Sequence, residues 1–117
     1  MTAPPPGFAH LPKVVQTYLD AHARGDAPAA AECFTPAAVV IDDGSTYRGR
    51  EQIRDWVNRS STEYTYTTTP TAAVQRGPNN WTVNQRVEGN FPGGIVDLAY
   101  RFTIDDAGIT ALDINPA

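Results

Sequence analysis

The sequence predicts an α+β domain in which three N-terminal helices pack on a mainly antiparallel sheet. Two observations predict this class. In the first half of the chain, apolar residues recur at helical spacing. In the second half, runs of alternating polarity are separated by turns rich in Gly, Pro and Asn, which is typical of strands joined by hairpins. Helices followed by strands indicate the α+β class, and 117 residues suffice for one such domain.

Two amphipathic helices are predicted from residues that share one face. The first spans residues 13–24, and Gly25 follows where a C-terminal cap is expected. The other, third along the chain, spans residues 50–60. The apolar face of the first contains Val14, Val15, Tyr18 and Leu19, and that of the third contains Ile53, Trp56 and Val57.

A short helix and a strand are predicted between these two helices. Asp26 is a typical N-cap and Pro28 is favoured in a first turn, so a second helix should end near Thr35. The segment "AAVVI" at 37–41 is short and β-branched, which predicts a strand buried on both faces.

The second half of the chain reads as strands. Pro70 indicates an edge strand or a bend, and "GPNN" and "FPGG" interrupt the alternation as a turn and a bend. The predicted strands cover residues 61–75, 81–91, 96–104 and 109–114.

Composition and charge restrict the function classes. The net charge of −4 argues against nucleic acid, because phosphate binding needs a basic surface. No apolar run reaches the roughly 20 residues of a membrane-spanning helix. The single cysteine, Cys33, excludes an internal disulfide and favours a reducing compartment, so a cytoplasmic location is expected. Residues 1–12 are predicted to be a flexible Pro-rich lead-in without a secretory pattern, and residues 13–117 a single domain.

Two Asp-Asp pairs raise the question of a chemical site. Asp105 and Asp106 lie between two alternating runs with Gly108 close behind, which predicts a hairpin turn. The pair Asp42 and Asp43 precedes Gly44 and also fits a turn. However, Asp42 ends an apolar strand, where poor hydration would raise the pKa of its carboxyl toward that of a useful base.

Several stretches in this order resemble the nuclear transport factor 2-like superfamily, in its SnoaL-like and ketosteroid isomerase-like branches. They are "VVQTYLDAHARGD", "AAAECFTPAAVVIDDG", "YRGREQIRDW" and "DLAYRFTIDDAGI". The resemblance implies a cone-shaped roll of the cystatin-like kind, with a strongly curved sheet around the first helix. It also implies a pocket in the wide end and a homodimer formed through the sheet.

The resemblance also implies a catalytic pair. Tyr18 matches a tyrosine that donates a hydrogen bond to the substrate oxygen, and Asp42 matches the general base, with Asp43 as the adjacent alternative. Such a pair removes a proton next to a carbonyl and stabilises the enolate without a cofactor. The family's second oxyanion donor falls at Leu98 and a supporting tyrosine falls at Val57, so steroid isomerase activity itself is not expected.

Other residues are candidates for the pocket. His22 follows Tyr18 by one helical turn, and a helix-end histidine near solvent is the alternative. Gln85 interrupts an apolar strand face, so a ligand or its neighbours must satisfy its amide. The aromatic residues Trp56, Trp81 and Tyr100 are expected to line the core or the pocket, whereas strand parity does not place Tyr64 and Tyr66. No metal-ligand spacing is present.

Two hypotheses of function follow. In the first, the protein is a cofactor-free isomerase or polyketide cyclase-like enzyme of a small hydrophobic carbonyl compound, with Asp42 as base and Tyr18 as donor. In the second, it is a non-catalytic domain that binds a hydrophobic ligand or a protein partner, because a fold does not fix a function.

Overall fold

The computed structural model describes residues 7–117, which form three α-helices, one 3-10 helix and a six-stranded sheet. The α+β class with three helices and a mainly antiparallel sheet is therefore confirmed. Along the chain the elements are a 3-10 helix Phe8–His10, α1 Lys13–Ala23, α2 Ala27–Glu32, β1 Phe34–Asp42, β2 Ser45–Arg48, α3 Gly49–Glu63, β3 Tyr66–Gly77, β4 Asn80–Gly89, β5 Ile95–Asp105 and β6 Gly108–Pro116.

The sheet is mixed, with strand order β2-β1-β6-β5-β4-β3. All neighbouring strands are antiparallel except β1 and β6, which run parallel. This pairing sets Asp42, the last residue of β1, beside Ile114 of β6. Ile114 in turn pairs with Tyr100 of β5, so the end of β1 and the middle of β5 come within two strands of each other.

The second helix ends earlier than predicted. The Asp26 side chain accepts a hydrogen bond from the Ala29 N–H at 3.2 Å, which confirms the N-cap. However, β1 already begins at Phe34, so an end near Thr35 is wrong. The residue before a proline is driven from helical to extended backbone, and Pro36 has this effect on Thr35.

The first strand is not buried on both faces, which corrects the prediction for 37–41. Phe34, Ala38 and Val40 are buried, whereas Ile41 on the other face is 40% exposed. Because the helices pack on one face of the sheet, the burial of β1 alternates.

Both Asp-Asp pairs lie at hairpins. Asp43 and Gly44 join β1 to β2 with φ angles of 51° and 78°, as a type I′ turn requires. The strand β2 was not predicted. In the second pair, the Asp105 carboxylate accepts hydrogen bonds from the N–H groups of Ala107 and Gly108, at 2.7 and 3.1 Å, which confirms the turn.

The late strands follow the alternation in the sequence. Pro70 lies on the edge strand β3, where the register with β4 shifts between Pro70 and Ala72. On β4, the buried side chains are Trp81, Val83, Gln85 and Val87.

The predicted lead-in lies partly outside the described residues. The prediction of a flexible segment for residues 1–6 lies outside the described residues. Within the described part, Leu11 is buried in the core and the 3-10 helix contacts β3. Contacts with the core therefore begin before Lys13. Within residues 7–117, no helix is long and apolar enough to cross a membrane.

Candidate functional site

An open cleft of about 260 Å³ lies between α3 and the sheet. We use "the cleft" for this space. Its apolar wall comes from Val87, Val96, Leu98 and Ile114 on three neighbouring strands. Its aromatic lining consists of Trp56, Tyr64, Tyr66, Phe91 and Tyr100. The polar side chains that reach it are His22, Asp42, Ser60 and Glu63.

Asp42, and not Asp43, faces the cleft. The hairpin turn leaves Asp43 exposed, while Asp42 is partly buried and accepts a hydrogen bond from Trp56 Nε1 at 3.0 Å. Burial raises the pKa of the Asp42 carboxyl, the bond from Trp56 opposes this rise, and the nearby Asp43 adds to it, so that the net shift is upward. A carboxylate with a raised pKa is a stronger base than one in water.

Trp56 is fixed by neighbours on two sides. Its ring is 3% exposed and stacks on Tyr47 with centroids 5.9 Å apart and an angle of 29°. The Arg59 guanidinium lies 5.3 Å from the centroid of Tyr47. The His22 ring meets Trp56 edge-on at 5.1 Å. The indole N–H is therefore held toward Asp42 by packing that the carboxylate itself does not provide.

Tyr18, His22 and Ser60 form a hydrogen-bonded chain. The Tyr18 phenol lies 2.7 Å from His22 Nδ1, His22 Nε2 lies 2.8 Å from Ser60 Oγ, and Ser60 Oγ donates to the Val57 carbonyl at 3.0 Å. Since the Ser60 proton goes to Val57, Nε2–H donates to Ser60 and Nδ1 accepts from Tyr18. In the opposite tautomer, Nδ1 would carry the proton, and the hydroxyl proton of the fully buried Tyr18 would have no acceptor among these three residues.

Burial keeps the hydrogen-bonded side chains of Tyr18 and His22 neutral. It lowers the pKa of His22 to about 4 and raises the pKa of the Tyr18 phenol. Tyr18 does not line the cleft; it lines a smaller, more enclosed cavity of about 10 Å³ beside it. Its proton is also engaged by His22. Tyr18 lies near enough to Asp42 for that carboxylate to add to the rise in the pKa of its phenol. It lines the adjoining cavity and not the cleft, so the catalytic pair that the resemblance implies stays a prediction.

Three other tyrosines line the cleft, and two of them, Tyr66 and Tyr100, also line the enclosed cavity. Tyr66 begins β3 and Tyr100 lies in the middle of β5, and both line the cleft and the enclosed cavity. Burial raises the pKa of both phenols. Hydrogen bonds with Ser60 and Ser61 at Tyr66, and with Gln85 at Tyr100, oppose the rise, and the net shift leaves both phenols protonated at neutral pH. The sequence left Tyr66 unplaced, because the start of β3 was not visible in a run of threonines and tyrosines.

The remaining candidates divide by position. Leu98 lines the cleft, while Gln85, its pairing partner on β4, is buried and lines only the enclosed cavity. Trp81 lines neither space and packs in the core. It is six residues before Val87 on β4, which places it about 20 Å from the cleft end of that strand.

Six cleft residues were missed as site candidates in the sequence: Ser60, Glu63, Val87, Phe91, Val96 and Ile114. Ser60 follows Trp56 by four residues, so helical spacing could have found it. Glu63 lies at the exposed end of α3. Phe91 lies in the bend "FPGG" and meets Tyr64 edge-on at 6.1 Å, a contact that no local pattern signals. Within residues 7–117, His, Cys, Asp and Glu form no group of three that could hold a metal ion.

Together these groups can perform acid–base chemistry on a small apolar molecule. A carboxylate with a raised pKa lies in an apolar cleft that is also lined by the phenols of Tyr66 and Tyr100. A base and donors in one space are the requirements for removing a proton next to a carbonyl group.

Comparisons with known proteins place the chain in a family. The SnoaL-like domain matches residues 15–111. A candidate polyketide cyclase from Sinorhizobium meliloti is 36% identical, with a TM-score of 0.86 over 92% of this chain and 97% of that chain. A protein from Catenulispora acidiphila with a ketosteroid isomerase-like fold, in complex with trimethylamine, is 23% identical, with a TM-score of 0.80 over 91% and 86%.

A third solved structure is more distant. It is an epoxide hydrolase/cyclase-like enzyme of pyran ring formation in salinomycin, 20% identical, with a TM-score of 0.77 over 90% of this chain and 88% of that chain. No curated protein matches the chain in sequence. Because the domain match covers most of the chain and the Sinorhizobium protein is 36% identical over nearly all of it, this chain belongs to the SnoaL-like family and has the nuclear transport factor 2/ketosteroid isomerase-like fold.

Proposed function

We propose that the cleft binds a small hydrophobic carbonyl compound and that Asp42 removes a proton from the carbon next to its carbonyl. One observation carries this proposal: Asp42 is a partly buried carboxylate that lines an apolar cleft, and burial raises its pKa. In this state the carboxylate is poorly hydrated, so accepting a proton costs little solvation.

The oxygen of the resulting enolate needs a donor. Tyr100 and Tyr66 are the proposed donors in place of Tyr18, because both line the cleft and Tyr18 donates to His22. A phenol that stays neutral at pH 7 can donate to a developing negative charge. In many enzymes, donors placed in this way lower the activation free energy more than any other group in the site.

The reaction is proposed to be isomerisation or a cyclase-like carbon–carbon bond formation, and no cofactor is proposed. The 36% identity to a candidate polyketide cyclase supports the second form. Leu98 stands where a second acid is expected, which argues against steroid isomerisation. The volume of about 260 Å³ is slightly below the range of about 300–1,000 Å³ for drug-sized ligands, so a ketone of one or two rings fits best.

Deuterium exchange tests the proposal directly. The two-ring ketone 2-tetralone is incubated with the protein in D2O, and the loss of its α-protons is followed by proton NMR. We expect exchange above the buffer rate, reduced at least about 100-fold in Asp42→Asn, which is the usual contribution of a general base.

Asp43→Asn is the matched control. Asp43 is exposed and its positive φ of 51° suits asparagine, so this variant should fold and exchange the ketone like the parent. Equal exchange rates for the parent, Asp42→Asn and buffer alone would refute the proposal.

The second candidate function is binding of a small molecule without turnover. The occupation of the second acid position by Leu98 favours it, as does the trimethylamine bound in the relative from Catenulispora acidiphila. In this case 2-tetralone or a similar ketone should bind with an affinity that survives Asp42→Asn, and no exchange should occur.

A further inference from the structure

The charged groups of the cleft are all acidic. Asp42 is partly buried and Glu63 is exposed, while His22 is neutral because burial lowers its pKa to about 4. Among the described residues, neither lysine nor arginine lines the cleft. Two arginines lie nearby. Arg59 contacts Tyr47, a ring outside the cleft lining, and Arg24, which pairs with Asp26 at 3.6 Å, lines a neighbouring cavity that shares Tyr64 and Tyr66 with the cleft.

The aromatic rings that line the cleft range from buried to exposed. Trp56 and Tyr100 are 3% and 6% exposed, whereas Tyr64 is 37% exposed and marks the mouth. There Tyr64 and Phe91 meet edge-on, and Glu63, which precedes Tyr64 in the sequence, also lines the cleft. The faces of aromatic rings carry partial negative charge and attract organic cations, most strongly where water is partly excluded.

We propose that the cleft selects a ligand that carries an alkylammonium group, with the cation at the mouth against Tyr64, Phe91 and Glu63. The apolar body of the ligand then extends along Leu98 toward Asp42. A carboxylate ligand would be repelled at both ends, and a neutral ligand would gain only apolar burial. The inference rests on the proposed function in one respect: the reactive carbonyl of such a ligand would lie at the Asp42 end.

A pair of ligands that differ in one atom tests the charge preference. The probes are (3-hydroxyphenyl)trimethylammonium and 3-tert-butylphenol, which have the same shape and differ in a positive nitrogen in place of a carbon. Their dissociation constants are measured by calorimetry or NMR titration at pH 7 and low salt. We expect the cation to bind about tenfold more tightly, equivalent to about 1.4 kcal/mol.

Two glutamate variants locate the effect. Glu63→Gln should reduce the preference for the cation to a few-fold, whereas Glu51→Gln, at the other end of the same helix and outside the cleft, should preserve it. Added salt should weaken binding of the cation and leave the neutral phenol unchanged.

The outcomes separate this inference from the proposed function. Equal affinities for the two phenols, a preference for the neutral one, or no binding of either would overturn the selection of a cation. The exchange of 2-tetralone, a neutral ketone, does not depend on that result. If the ketone exchanges through Asp42 while the two phenols bind equally, the role of Asp42 as base is supported and the selection of a cation is wrong. If the cation binds more tightly but the ketone does not exchange, the selection of a cation is supported and the role of Asp42 as base is wrong.

Discussion

Replacing Trp56 with phenylalanine removes one hydrogen-bond donor from the proposed base. The indole Nε1 donates to Asp42 Oδ2 at 3.0 Å, and the ring is held between Tyr47 and His22. Phenylalanine keeps a ring at this position, so the principal change at Asp42 is the loss of the N–H. Because the bond favours the ionised carboxylate, its loss should raise the pKa of Asp42 further.

The size of the shift follows from the strength of the bond in the two protonation states. A hydrogen bond to a charged group contributes about 1.5–3 kcal/mol and one to a neutral group about 0.5–1.5 kcal/mol. Asp42 is partly exposed, so solvent screening keeps the difference to about 1 kcal/mol. Since one pKa unit corresponds to about 1.36 kcal/mol, the pKa of Asp42 should rise by about 0.7 unit.

Carbon NMR of the aspartate carboxyl groups measures this shift. The Asp42 signal is assigned by its loss in Asp42→Asn, and its titration is compared between the parent and Trp56→Phe. Trp81→Phe is the matched control, because Trp81 is also buried but lies far from the cleft, and the pKa of Asp42 should not change. A pKa that falls or stays constant in Trp56→Phe, or an equal rise in both variants, would refute the reasoning.

Four further predictions concern stability, proton positions and assembly. Since the pKa of Asp42 is raised in the folded state, its stabilising effect is complete below the ordinary value of 3.8 and is lost as pH rises through the folded pKa; Asp42→Asn should therefore melt at a higher temperature than the parent at pH 7, with the difference vanishing near pH 3. The pKa of His22 is lowered from 6.5 to about 4, so urea denaturation should show about 3 kcal/mol of stability lost between pH 7 and pH 4, and less in His22→Gln. Tyr18→Phe should lose about 1–3 kcal/mol in the same assay, because His22 Nδ1 loses its donor; exchange of 2-tetralone should survive, and its loss without a loss of stability would make Tyr18 the substrate donor after all. The homodimer stays a prediction, and analytical ultracentrifugation should find twice the mass of one chain; a single-chain mass at all concentrations would contradict it.

Local patterns in the sequence predicted the parts of the fold that depend on local chemistry. The N-cap at Asp26 and the turn at Asp105 depend on side chains that bond backbone groups two or three residues away. The strand β2 was missed although "DDG" indicates a type I′ turn, because "STYR" is short and exposed and carries no apolar alternation. The prediction that β1 is buried on both faces was wrong for a related reason. An apolar run does not show which face of the sheet lacks a covering layer, and Ile41 lies on the uncovered face.

The candidate site shows the same division between local and distant information. The position of Asp42 follows from the local sequence, because a hairpin turn that begins at Asp43 leaves Asp42 as the last paired residue of the strand. The identity of its hydrogen-bond partners does not, because Trp56 is 14 residues away and reaches Asp42 only after α3 packs on the sheet. The tyrosine that can donate to a substrate depends on contacts between residues still farther apart in the sequence. Tyr18 and Tyr100 both carry a phenol, but their partners differ. His22 Nδ1 accepts the hydrogen bond of Tyr18 because Nε2 donates to Ser60 on another helix, whereas Tyr100 has Gln85 as its partner and lines the cleft. A tyrosine keeps its chemistry at any position in a sequence, whereas the availability of its proton is a property of the folded network around it.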